Sequence, residues 1–154
     1  MNNIDVEFAV TRTPDMPTPE QICHWANTAL HGREENATVC IRIMDEDEMT
    51  ELNSTYRGKN SPTNVLSFPM DMPPGIDLTI LGDIAVCAPV VANEAREQEK
   101  SYESHWAHMI IHGTLHLLGY DHIDEADAQE METLETEIMH GLQYPNPYQP
   151  LENS

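Results

Sequence analysis

The chain has 154 residues and a formal charge of −20, seven Lys and Arg standing against 27 Asp and Glu. That length suits one core of ordinary size, so a single domain over residues 1–154 is expected. The acidity excludes loose, sequence-independent binding to nucleic acid or to an anionic membrane, because no broad cationic footprint is available.

In chain order, Ile4, Val6 and Phe8 alternate with Asp5 and Glu7, the period of a strand with one buried face. Thr18-Pro19-Glu20-Gln21 has the form of a capping box with proline at the first helical position. It opens a helix over Ile22, Trp25, Ala26 and Leu30 that ends near Gly32. Thr38–Met44 is a second strand. Asp45 caps the next helix, with Glu46, Asp47 and Glu48 in its first turn. Met49, Leu52 and Tyr56 give that helix a buried stripe, and Gly58 is its stop signal. A loop then leads into a strand at 64–68. DMPPGIDLT is a turn-rich connection to a fourth strand, Leu81–Cys87.

Pro89 begins a helix through Glu99, and a further helix runs from Tyr102 to Leu118. Asp124 caps a last helix with Met131, Leu134 and Ile138 at helical spacing. Residues 142–154 read as an irregular tail. The pattern predicts an α+β fold, one small mixed sheet of about four strands packed with about five helices. Cys23, Cys40 and Cys87 form no CxxC pair and read as buried free thiols in a reducing compartment. The N-terminus has neither a basic n-region nor an apolar h-region, and a cytoplasmic protein is expected.

The chemistry concentrates in HGTLHLLGYDH, residues 112–122. Five of the eight histidines fall between 105 and 122. His112 and His116, four apart on a helix, present imidazoles on one face. Gly119 permits a left-handed turn that lets His122 return as a third ligand. Three protein ligands with an open fourth position suit a catalytic Zn²⁺, one per chain. His108 shares that face, as a packed histidine or as a support for ligand or substrate; His105 reads as peripheral. Asp121 either orients a ligand imidazole or belongs to the turn. The spacing also matches the zinc-peptidase pattern HExxHxxGxxH, but Gly113 stands where those enzymes carry their glutamate base. Among the seven basic residues, Arg57 and Lys59 sit together at a helix end. They are either favoured there by the dipole or placed for phosphate, which a guanidinium fork fits well.

These two blocks resemble the bacterial YbeY family of rRNA maturation factors and single-strand-specific endoribonucleases. The family pattern HGxLHLxGYDH stands at 112–122. LNxxYRxKxxPTNVLSFP stands at 52–69 as LNSTYRGKNSPTNVLSFP, and LGDI at 81–84. The resemblance implies zinc on His112, His116 and His122, and a functional role for Arg57. It also implies work on the 3′ end of small-subunit 16S rRNA, in ribosome quality control and in association with the ribosome. The alternatives are a ribosome-assembly factor whose metal shapes a binding surface, and a metal-dependent hydrolase of another substrate, such as a peptide.

Overall fold

The computed structural model describes residues 2–34, 36–70, 79–120 and 124–148. Four strands and five helices follow in the order β1 (Asn3–Phe8), α1 (Pro19–Leu30), β2 (Ala37–Met44), α2 (Glu46–Arg57), β3 (Val65–Pro69), β4 (Thr79–Cys87), α3 (Ala88–Glu97), α4 (Tyr102–Leu117) and α5 (Glu125–Gly141). The expected α+β class and element order are those found. The sheet order is β1-β2-β4-β3. β1, β2 and β4 run parallel, and β3 lies antiparallel at the edge against β4.

Local chemistry fixes the helix ends. Thr18 accepts from the Gln21 amide at 3.1 Å while Gln21 Oε1 accepts from the Thr18 amide at 2.9 Å, the reciprocal pair of a capping box. Asp45 and Asp124 accept from the amides of Glu48 and Asp127 at 2.9 and 2.8 Å. Ser101 does the same for α4, a cap that the sequence reading missed. Gly58 ends α2 in the left-handed region at φ 69°, as its position suggested.

Alternation sorts the strands between two apolar clusters. Val39, Ile41, Ile43, Ile84 and Val86 face α1, α4 and α5 in the main core. Ala85 and Cys87, on the opposite face, join Met44, Met49 and Leu66 in a smaller cluster beneath α2. α4 is buried along nearly its whole length. A helix enclosed along most of its surface must place even polar side chains inside, so His105 and His108 are buried while His112 and His116 are only partly covered. Among the described residues no helix is long and apolar enough to cross a membrane.

Three details differ from expectation. Tyr56 is 64% exposed; its ring lies on Phe68, with centroids 4.7 Å apart. Only the Met49 and Leu52 side of α2 reaches the small cluster. The buried position near its end goes to Asn53, whose Nδ2 donates to Ser61 O at 2.7 Å and staples the following loop. Cys40 is exposed, Cys23 is half-buried, and Cys87 alone of the three is buried. His105 is buried rather than peripheral, with Nε2 2.9 Å from Glu94 Oε1.

Candidate metal centre

α4 projects His108, His112 and His116 from successive turns of one face, as the i, i+4 spacing requires. Ring centroids are 6.1 Å apart for the first pair and 4.6 Å for the second. The Nε2 atoms of His112 and His116 approach to 3.1 Å. Two imidazole nitrogens on one tetrahedral zinc stand about 3.3 Å apart, given Zn–N of about 2.0–2.1 Å. The pair therefore fits a shared divalent ion, and imidazole donors suit zinc. Gly119 turns the chain out of α4 at φ 103°. His122 and Asp121, the other two residues singled out in this block, lie outside the described residues.

Behind His112 stands a residue that the sequence reading passed over. Glu135 of α5 is fully buried. Its Oε1 accepts from His112 Nδ1 at 2.9 Å. Its Oε2 is paired with His108 Nε2 and accepts from the Tyr148 hydroxyl. Burial acts to raise the Glu135 carboxyl, but the hydrogen bonds and charge of His108 and His112 outweigh it and hold the group down at about 2. Burial dominates at His108 and lowers its pKa, against the pull of Glu135. Glu135 is thus a buried carboxylate held by hydrogen bonds from both rings. The available signal was Glu135's place on the Met131–Ile138 stripe, where a charge has no business unless it is paired.

His108, His112 and Glu135 also bring three potential ligand atoms within 4.8 Å of one another, a group that could itself hold a metal ion. The two sites make opposite demands on one imidazole. An ion on His112 Nε2 needs the proton on Nδ1, and an ion on Nδ1 needs it on Nε2. The bond from Nδ1 to a carboxylate favours the first.

His112 and His116 line a cavity of about 640 Å³ together with Arg57, Thr63, Asn64, Ser67 and Tyr120. The fold thus brings Arg57 to the histidines across more than fifty residues of sequence. It does so because β3, fed by the loop after α2, lies along α4, with Ser67 Oγ donating to Gly113 O at 2.9 Å. Tyr120 is half-buried and packs against the main core. Five of the seven cations are committed locally. Arg12 donates to Pro17 O, Arg33 to Ala29 O and Lys100 to Pro147 O, while Arg42 pairs with Glu48 and Arg96 with Asn93. Among the described residues Arg57 and Lys59 have no such partner, and both are exposed.

Gly113 has a steric reason. A Cβ there would stand 3.0 Å from Ile84 Cγ2 and 3.3 Å from both Ser67 Oγ and Val65 Cγ2. The helix sits on the sheet through this glycine, and a glutamate has no room. Gly113→Ala is expected to destabilise the protein by about 1–2 kcal/mol, the crowding penalty exceeding the helix-propensity gain of roughly 1 kcal/mol. Urea unfolding checks this, and a more stable variant would show that the contact is slack.

The architecture and the histidine cluster define an α+β protein able to hold a divalent metal on its central helix. The fold matches the solution structure of TM1509 from Thermotoga maritima with a TM-score of 0.59 and 25% identity, covering 95% of this chain and 99% of that one. The family model described as Endoribonuclease YbeY matches residues 10–143, and the chain belongs to that family. The match extends beyond the blocks at 52–69 and 112–122 to take in α1 and α5. Membership makes the chain an endoribonuclease by family and RNA its substrate class.

Proposed function

We propose that the protein is a zinc-dependent, single-strand-specific endoribonuclease that matures the 3′ end of small-subunit 16S rRNA and serves ribosome quality control in the cytoplasm. His112, His116 and His122 hold the ion, Asp121 supports a ligand imidazole, and Arg57 contacts the phosphate. The observation that carries this reading is the cavity shared by His112, His116 and Arg57, whose side chain has no partner among the described residues.

Zinc bound there supplies Lewis acidity toward a water or a phosphoryl oxygen. Arg57 presents its donor fork to the non-bridging oxygens and stabilises the charge that builds on them. Glu135 keeps a proton on His112 Nδ1 and so leaves Nε2 as a donor lone pair. None of the described cavity-lining residues is a carboxylate. This agrees with Gly113 in disfavouring the peptidase chemistry, and it leaves water and the RNA's 2′-hydroxyl as the nucleophiles. The product ends tell them apart.

A net charge of −20 repels a polyanion, and Arg57 and Lys59, without a partner among the described residues, hold one or two phosphates. Isolated protein is therefore expected to bind short single-stranded RNA weakly, with a log–log salt slope of roughly −0.7 to −1.4. Cleavage on maturing small-subunit particles is expected to exceed cleavage of the same RNA stripped of protein. A slope reflecting many released counterions, or equal rates on both substrates, would remove the need for a ribosomal partner. The nuclease itself is tested with metal-reconstituted protein against its histidine variants, since a contaminating RNase would act equally in both.

A further inference from the structure

We propose that Glu135 is a positioning residue for His112, and that the C-terminal segment completes this support through Tyr148. The proposal rests on the reading that His112 holds zinc through Nε2.

A fully buried carboxylate costs several kcal/mol unless its lone pairs are met. Glu135 meets them with three donors on two oxygens, which suits the roughly four acceptor sites of an ionised carboxylate. The arrangement has a direction. His112 is the one of these donors whose other ring nitrogen faces the cavity, where it stands 3.1 Å from His116 Nε2. By accepting from Nδ1, Glu135 selects the tautomer that turns a lone pair toward the ion, fixes the ring's rotation and makes it a stronger donor. His108 braces the far oxygen. Among the described residues its Nδ1 has no hydrogen-bond partner, so the contact with Glu135 is what orients this ring.

Tyr148 comes from outside the last helix, yet its segment is tied down. The Tyr144 amide donates to Met139 O at 2.9 Å, and the Tyr144 hydroxyl to Glu103 at 2.6 Å. Lys100 Nζ donates to the carbonyl of the buried Pro147 at 2.7 Å. These anchors bring the Tyr148 hydroxyl into direct hydrogen-bond contact with Glu135 Oε2, beside a cavity of about 210 Å³ that both line together with His112 and Met131. The residues after α5 thereby form part of the wall behind the ion.

The test measures zinc affinity by competition with a chromophoric chelator, the absorption spectrum of the Co²⁺-loaded protein, and the melting temperature of the metal-free protein. Glu135→Gln keeps the shape and loses the charge. It is expected to retain one zinc per chain and the wild-type Co²⁺ band positions while binding zinc roughly 10–100-fold more weakly. Tyr148→Phe removes one hydroxyl and is expected to weaken zinc several-fold at an unchanged metal-free melting temperature.

A Glu135→Gln protein that melts earlier but binds zinc as tightly as wild type would overturn the proposal, since Glu135 would then be structural only. Loss of zinc stoichiometry with a changed Co²⁺ spectrum would overturn it differently, by making Glu135 a ligand. Should Glu135→Gln fail to fold, Tyr148→Phe decides, and undiminished affinity there refutes the support. If wild-type protein takes up no stoichiometric zinc, the metal reading itself fails, an outcome distinct from all of these.

Discussion

Replacing His116 with alanine is expected to abolish stoichiometric zinc and to lower RNA cleavage by roughly a thousandfold or more, while the metal-free protein stays folded. His116 lies in the last turn of α4 with its ring half-buried at the cavity wall. Truncating it leaves no sealed void in the main core, and alanine is the better helix former. The catalytic loss follows from the two remaining ligands, too few to hold a catalytic ion, and from the several kcal/mol that an ion contributes to charge stabilisation at phosphorus, each 1.36 kcal/mol being tenfold in rate. Metal analysis and cleavage assays on the same preparation check both parts. Unchanged occupancy in the variant would refute the assignment of this histidine. Lost occupancy with full cleavage would separate the metal from the chemistry and favour an assembly factor.

What the sequence made legible divides along the range of the interactions. Capping and periodicity are local, so the Thr18 box, the Asp45 and Asp124 caps and the order of nine elements could be read directly. The imidazole pair at 112 and 116 was legible for the same reason, since four residues of helix suffice to place it. Contacts between elements were not. Strand order was undetermined, because nothing local says that β4 lies between β2 and β3. Tyr56 fell on the expected stripe, but α2 covers only a margin of the sheet, and Asn53 took the buried place to hold Ser61 O. Glu135 lies 23 residues from His112, and only the packing of α5 on α4 makes them neighbours. A charged residue within an otherwise apolar stripe was the one trace of that role visible beforehand.

Arg57→Ala is expected to reduce kcat/KM for RNA by roughly 10²–10³, the usual loss for removing one preorganised donor to a developing anion, with zinc content unchanged. Stability should barely move. The side chain is exposed and has no described partner, and α2 already ends on the left-handed Gly58. What remains is the interaction of a cation with the helix C-terminus, worth about 0.3–1 kcal/mol. Arg57→Lys separates charge from geometry. An ammonium keeps the attraction for phosphate and loses the two-pronged fit, so its activity should fall between alanine and wild type. The salt dependence gives a second reading. Alanine should flatten the log–log slope for single-stranded RNA by about 0.7, one phosphate contact, and lysine should leave it unchanged. Full activity in the lysine variant would show that charge alone suffices and that the fork plays no part. An alanine variant that melts many degrees lower would place Arg57 in the fold instead. An unaltered slope with reduced kcat would mean that the arginine meets its phosphate only in the transition state, which is where a catalytic donor has its greatest effect.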